Sequence, residues 1–347
     1  MGKEFRGGQR QVLYLARHLL RDGRFPPVIA APKGAPLLER AQAEGIPVCP
    51  LPSRRSVHPG SFRRLNRLLH QSPDIKILNT HDARSAALGA WLKIFSGVRF
   101  RLVHSRRVSY PIKGFWGVEK YRQADAVAAV SAEIRDVLVD CGLVADKVCV
   151  IHSGIDVSRY KERLVRHKPL VLGFLGALSP QKGCSVFLDA LRMLQGMDLP
   201  EWKAVIVGDG KLRRELEQQA QNLDLADCTF LGFQESREVL PNMDILAVPS
   251  VDGEGSSGVI KEAWAVRLPL VASDLPSNLE LVQPGINGLS FPNHNPEELA
   301  QCLAQLMRDP DLCDRLVLGG SQTLKDFTDA AMAQQYFELY QSFYQEL

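Results

Sequence analysis

The stretch Val248–Pro269, VPSVDGEGSSGVIKEAWAVRLP, decides the reading of this chain. The residues that lead into it, Asp244–Pro249, form an apolar run of strand type. Gly255-Ser256-Ser257-Gly258 then makes a loop of small residues and passes into a helix-like segment. Glu254 and Glu262 stand eight positions apart, one in the loop and one about a turn into the helix. The first N–H groups of a helix have no intrahelical partner, and the helix dipole favours negative charge beside them, so this junction is suited to an anion. Glycine and serine let a phosphate or a sugar approach the backbone closely. The pattern points to the donor-binding centre of a sugar-nucleotide enzyme. Its plain alternative is a capped helix with two solvated glutamates.

Outward from this stretch, strands and helices alternate in both directions. Leu170–Leu175, Lys203–Gly208, Cys228–Leu231 and Leu268–Ser273 read as strands, with helices at Val186–Leu194, Leu212–Leu223 and Gly258–Val266. The first half repeats the alternation, with strands at 27–31, 46–51, 75–79, 99–104, 126–130 and 148–151. Such alternation specifies parallel sheets covered by helices on both faces. A chain of 347 residues exceeds one ordinary domain. The polar run 157–168, VSRYKERLVRHK, reads as the linker. The expected division is an acceptor-binding domain at 1–163, a nucleotide-sugar-binding domain at 164–328, and an aromatic-rich helix at 329–347 that packs back on the first domain. Two doubly wound, Rossmann-like domains would face a cleft. Gly7-Gly8 leads directly into an amphipathic helix, with only the polar residues MGKEFR ahead of it. The first strand of the N-terminal sheet is therefore expected to be missing.

Composition narrows the classes. No apolar run approaches the ~20 residues that span a bilayer, and the polar start lacks a signal peptide. The seven cysteines form no CxxC pair, which points to free thiols in a reducing cytoplasm and no metal site. The net charge of +3 hides an asymmetry: residues 1–163 hold 28 Lys+Arg against 14 Asp+Glu, and residues 164–347 hold 14 against 25. A basic first half suits an anionic partner. The basic-aromatic stretches 53–67 and 106–122 suit a peripheral contact with an anionic membrane; an acceptor-binding loop without membrane contact is the alternative. No nucleic-acid-binding signature is present.

Several segments, in order, carry a resemblance. Glu254 to Glu262 resembles the E-x7-E signature of the family-4 retaining glycosyltransferases (glycosyl transferases group 1), which have the α/β GT-B fold. Gly7-Gly8-Gln-Arg-Gln-Val-Leu resembles the family's N-terminal glycine loop. Ser131 and His152-Ser-Gly-Ile-Asp156 resemble its landmarks before the linker. Gly176-Ala-Leu-Ser-Pro-Gln-Lys182-Gly183 resembles "GRLxxxKG", Val207-Gly-Asp-Gly210 resembles "GxG", Phe230-Leu-Gly-Phe233 resembles "FLG", and Gly285-Ile-Asn-Gly-Leu289 resembles "xGxNGLL".

The resemblance implies a metal-independent hexosyl transfer from a nucleoside-diphosphate sugar, of UDP or GDP type, to a hydroxyl of an envelope glycan or lipid-linked acceptor, without a cofactor. It implies catalytic roles for Glu254, His81 and Lys182. Donor contacts would come from Gly8, Gly208, Gly210, Leu212, Phe233, Val239, Ser256, Ser257, Gly258, Val259 and Glu262. Acceptor contacts would come from Gly7, Arg106 and Arg107. Two positions depart from the pattern: Ala177 replaces an arginine in the leaving-group loop, and Arg267 replaces a glycine after the helix. With these departures, an inactive or truncated sugar-nucleotide-binding relative and another GT-B enzyme, such as an epimerase, remain as alternatives.

Overall fold

The computed structural model describes residues 7–163, 165–252 and 255–345. The chain divides into two compact units, one of Met1–Gly154 with Asp329–Leu347, the other of Ile155–Thr328. The polar run 157–168 is therefore not a linker between units but part of the second one. Asp244 explains why. Its buried carboxylate accepts from Arg163 Nη1 (3.1 Å), from the backbone N–H of His167 (3.0 Å) and from that of Val171 (2.8 Å), and so ties the run to the sheet.

The first unit contains α1 (Gly7–Asp22), β1 (Ile29–Pro32), α2 (Pro36–Ala43), β2 (Val48–Leu51), α3 (Pro59–Gln71), β3 (Ile77–Thr80) and α4 (Ala83–Phe95). It continues with β4 (Arg101–Arg106), α5 (Phe115–Arg122), β5 (Ala126–Ala129), α6 (Ala132–Asp140) and β6 (Val148–Val150). Its strands form two parallel sheets, β1-β2 and β3-β4-β5-β6. Both sheets share the same helices. On one face α1 packs Leu13 and Ala16 against Ile29 and Ala31 of β1, and Tyr14, Leu15 and Leu19 against Val103, Ala126 and Ala128 of β4 and β5. On the other face Cys49 and Leu51 of β2 join Leu88 and Leu92 of α4 and Leu102 of β4 in one cluster. The two sheets are thus one layer, cut between β1 and β3. Among the described residues no strand bridges the cut; residues 1–6, where the first strand was sought, lie outside them.

The second unit runs through β7 (Leu170–Leu175), α7 (Cys184–Leu194), β8 (Trp202–Val207), α8 (Arg213–Asn222), β9 (Cys228–Gly232), α9 (Ser236–Val239) and β10 (Ile245–Val248). Then follow α10 (Gly258–Ala265), β11 (Leu270–Ser273), α11 (Pro276–Leu279), β12 (Leu289–Phe291), α12 (Pro296–Arg308) and α13 (Pro310–Thr323). One six-stranded parallel sheet results, in the order β12-β11-β10-β7-β8-β9. Its central strands are buried on both faces, which is why they read as unbroken apolar runs rather than alternating ones. The chain winds outward from β7 to β9 and then resumes on the other side of β7 at β10. This reversal opens a crevice beyond the carboxyl ends of β7 and β10, the position where such sheets bind ligands.

α14 (Asp329–Gln345) belongs to the first unit. Met332, Tyr336, Phe337, Tyr340 and Phe343 pack on α1, β4 and β5. Each large side chain so buried contributes roughly 1.5–3 kcal/mol.

Candidate functional site

In the second unit, the loops after β7, β8 and β10 touch through their backbones, and glycine makes this possible. A Cβ on Gly208 (φ 139°) would lie 1.8 Å from the carbonyl oxygen of Gly176. A Cβ on Gly183 (φ 63°) would lie 1.8 Å from that of Pro249. Hydrogen bonds complete the rim: Gly176 N to Val207 O (3.0 Å), Gly208 N to Gly232 O (2.8 Å) and Val251 N to Gln181 O (2.8 Å). Lys182 is therefore carried on a loop zipped to the segment that leads into α10. Gly210 approaches the Leu178 backbone, and the N–H of Leu212 donates to Leu178 O (3.1 Å). Phe233 is 76% exposed at the rim, after Gly232. Val239 is buried in a cluster with Leu240, Met243 and Leu246, so its side chain serves the core rather than a ligand.

At the start of α10, Ser257 occupies the cap position without a side-chain cap bond. Its hydroxyl is sealed from solvent (residue 1% exposed) and has no hydrogen-bond partner. Beside it Gly258 is open, with nothing within 4 Å of where a Cβ would be. A helix start with an unpaired buried hydroxyl and open space is complete only when an acceptor arrives. Ser256 is braced by Lys261, which is fully buried, donates to Ser256 Oγ (2.7 Å) and lies 5.2 Å from the Phe327 ring centre. Glu262 accepts from the Tyr160 hydroxyl (2.9 Å), which fixes its carboxylate one turn into the helix. Val259 is half-buried between these positions. Glu254 lies outside the described residues.

The rim of the first unit is built from side chains instead. Gln11 of α1 clamps Gly154 twice, donating from Nε2 to its carbonyl (2.7 Å) and accepting from its N–H at Oε1 (2.9 Å). Ser131 caps α6 by accepting from Ile134 N, and His152 donates from Nδ1 to Val130 O (3.1 Å). His104 is buried between Thr80 Oγ1 (2.6 Å from Nδ1) and the Lys120 carbonyl (3.0 Å from Nε2). Burial pushes its pKa down to about 4, so the ring is neutral; it donates from Nε2 and accepts at Nδ1. His81 follows β3, with Nδ1 sealed and unpartnered. Burial, and then the Arg107 charge, lower its pKa to about 3.

Arg106 and Arg107, paired in the sequence reading, have different surroundings. Arg106 is buried and braces the following loop: it donates to the Tyr110 carbonyl and the Tyr121 hydroxyl, and its guanidinium lies 5.8 and 5.6 Å from those two rings. This commits it to the scaffold rather than to an acceptor. Arg107 instead runs past Gly8, 3.7 Å from where a Cβ on Gly8 would sit. Gly7, at the start of α1, is exposed with open space around its Cα.

With this geometry in view, comparison with known proteins is decisive. The model of the Glycosyltransferase Family 4 matches residues 5–159, and that of the Glycosyl transferases group 1 matches residues 157–322. The chain belongs to the family-4, group 1 glycosyltransferases. It is 26% identical over 353 residues to the phosphatidyl-myo-inositol mannosyltransferase of Mycobacterium leprae, across 97% of this chain and 93% of that protein. It is 27% identical to the amylovoran biosynthesis glycosyltransferase AmsK of Erwinia amylovora, across 63% of this chain and 55% of that protein. The chain spans little more than half the length of several curated relatives it matches. The Anabaena HepE structure solved with UDP shares the fold at TM-score 0.85 and 21% identity, across 99% of this chain and 98% of that one. The two Rossmann-like units are thus those of the GT-B fold.

Family membership makes the scaffolding landmarks intelligible. In Gly285–Leu289, the buried Asn287 accepts from Gln283 N (2.8 Å) and donates to Leu281 O (3.0 Å), while its carbonyl receives Trp264 Nε1 (2.9 Å). That glycosyltransferase landmark therefore holds α10 in place rather than touching a ligand. Three supports escaped the sequence reading. Lys261 gave little signal, because a lysine beside Glu262 reads as an ordinary solvated pair. Tyr160 and Gln11 gave no local signal, because their partners lie 102 and 143 residues away.

Proposed function

We propose that this chain is a retaining glycosyltransferase. It transfers a hexosyl group from a nucleoside-diphosphate sugar to a hydroxyl of an envelope glycan or lipid-linked acceptor. The observation that carries this reading is the unsatisfied start of α10 at the strand-order reversal, with the unpartnered Ser257 hydroxyl beside open space at Gly258. A diphosphate there receives the first N–H groups of α10 and the charge of Lys182. Glu262, held by Tyr160, accepts the ribose hydroxyls, and Glu254 accepts hydroxyls of the transferred sugar. The bond between the anomeric carbon and the diphosphate oxygen breaks, and the electron pair leaves with the nucleoside diphosphate. The acceptor oxygen bonds to the anomeric carbon on the same face, and its proton passes to the departing phosphate oxygen. Lys182 and α10 offset the leaving-group charge, so the step needs neither a metal nor a resident cofactor. His81 acts at the transferred sugar, and Arg107 serves the acceptor.

Relatives support the substrate class: one is a phosphatidyl-myo-inositol mannosyltransferase and another acts in amylovoran biosynthesis. The UDP in the Anabaena structure makes UDP-sugars the first donors to test. The reading also places the protein at the cytoplasmic face of a membrane. Tyr110, Phe115 and Trp116 are 66%, 67% and 80% exposed beside Lys113, a composition suited to an anionic lipid interface. No helix among the described residues is long and apolar enough to cross a membrane.

A donor-hydrolysis screen followed by proton NMR of the released sugar tests the reaction. Release of sugar with the donor's anomeric configuration supports it. Inversion, or epimerised nucleotide sugar, contradicts it.

A further inference from the structure

The helix α10 begins against its own electrostatics. Positive charge is disfavoured beside the free N–H groups of a helix start, where an acidic residue is the usual occupant. The first turn of α10 contains no acidic residue, and its fourth residue is Lys261. This lysine is 0% exposed, and its neighbours Ile260, Trp264 and Phe327 belong to an apolar cluster. Replacing a charge so buried by an apolar side chain of similar volume is often neutral or stabilising, so stability does not account for a lysine here. Its Nζ lies 5.2 Å from the Phe327 ring centre, which suits an ammonium, and donates to Ser256 Oγ at 2.7 Å. An ammonium has donors only. Ser256 Oγ is therefore the acceptor in this bond, and its own hydrogen points away from Lys261. Among the described residues that hydrogen has no acceptor, and Ser256 is only half-buried. Next to it are the unpartnered Ser257 hydroxyl and the open space at Gly258. The loop after β7 that faces this helix start, residues 176–183, holds Lys182 as its single cation, with alanine at position 177. One lysine does not match the several negative charges of a diphosphate.

We infer that Lys261 is a positioning residue for the diphosphate. Through Ser256 it fixes that hydroxyl as a donor and brings buried positive charge to the start of α10, in the role that an arginine at position 177 would fill. This rests on the transferase reading, since it takes the ligand there to be a nucleoside diphosphate. Hydrogen bonds in series polarise one another where the local dielectric is low. The bond from Ser256 to a phosphate oxygen is therefore stronger with Lys261 behind it than from a serine alone. A serine without this partner accepts as readily as it donates, and so has no preference for a phosphate oxygen. Lys261 itself does not touch the ligand; Ser256 does. An arriving diphosphate also relieves the unfavourable placement of Lys261 in the first turn, because it supplies the negative charge that the helix start lacks.

Lys261→Met nearly keeps the shape of the side chain and removes its charge. Calorimetric titration of the full chain with UDP and GDP, NMR titration with uridine and guanosine, and thermal melts without ligand test the proposal. The variant is expected to bind the cognate diphosphate at least tenfold more weakly than the wild type, to bind the nucleoside as the wild type does, and to melt at or above the wild-type temperature. Ser256→Ala should show the same loss, and the double variant no more than the larger single loss, because the two residues act in series. A diphosphate loss below tenfold in Lys261→Met overturns the proposal. So does an equal loss for nucleoside and diphosphate, which marks a lysine that serves only the shape of the loop. Additive losses in the double variant overturn the relay through Ser256. A folded wild-type chain that binds neither UDP nor GDP defeats the transferase reading and this inference with it, whereas wild-type affinity in Lys261→Met defeats the inference alone.

Discussion

The two units build the same kind of ligand edge by different means. In the second, the loops after β7, β8 and β10 meet backbone to backbone, with Gly208 against Gly176 and Gly183 against Pro249, over an unbroken six-stranded sheet. In the first, the sheet is cut between β1 and β3, and the edge is tied by side chains: Gln11 to Gly154, Thr80 to His104, Arg106 to Tyr110 and Tyr121. Backbone contact admits one residue type, whereas a side-chain tie has many solutions. The first kind of edge is therefore stiff and leaves glycines at fixed spacings in the sequence. The second is adaptable, titrates with pH and leaves little trace in the sequence.

The largest expected effect tests the stiff edge. Gly208→Ala combines a φ of 139° with a methyl group 1.8 Å from a carbonyl oxygen. It should cost about 3 kcal/mol or more in urea denaturation. A cost near zero would mean that the loops after β7 and β8 are not held together as described.

The next test concerns acid. Burial pushes the pKa of His81 down to about 3 and that of His104 down to about 4, from the ordinary 6.5 of a histidine. The unfolded chain binds more protons in this window, so the first unit loses stability as pH falls from about 6.5 towards 4. Segment-resolved hydrogen exchange should show the first unit opening at acid pH before the second, and His104→Gln should flatten that dependence. Simultaneous opening of both units would remove the distinction.

Smaller effects follow from single ties. Gln11→Leu leaves the buried N–H and carbonyl of Gly154 unpaired and should destabilise the first unit by about 2 kcal/mol. Arg267 has a positive φ of 59° just past α10, where its N–H bonds Trp264 O and the N–H of Leu268 bonds Ala263 O. Replacing it by glycine removes the left-handed strain and should stabilise the second unit by about 1 kcal/mol. The exposed contact from Arg267 Nε to Glu162 (3.3 Å) offsets little of this gain.

These differences also explain what the sequence made legible. The second unit's strands were visible because buried parallel strands are continuous apolar runs, and its edge because Gly183, Gly208 and Gly210 are sterically required. The boundary was misplaced because 157–168 is polar for a structural reason: Arg163 and His167 are partners of the buried Asp244. The pairing of Arg106 with Arg107 misled because Arg106 ends β4 and turns to Tyr110 and Tyr121, whereas Arg107 lies past the strand beside Gly8. Tyr160, which holds Glu262, could not be inferred, since hydrogen bonds between distant segments leave no periodicity. The fold was thus readable where backbone sterics or burial restrict composition. The parts of the site assembled from long-range side-chain ties were not.

The central claim is that the start of α10 binds the diphosphate of a nucleotide. Calorimetric titration of UDP and GDP into the folded chain, repeated with Lys182→Ala and Glu262→Ala, tests it most directly. The account predicts binding of one nucleotide, weakened at least tenfold in each variant while the melting temperature is retained. A folded chain that binds neither nucleotide, or variants that bind as tightly as the wild type, would contradict it.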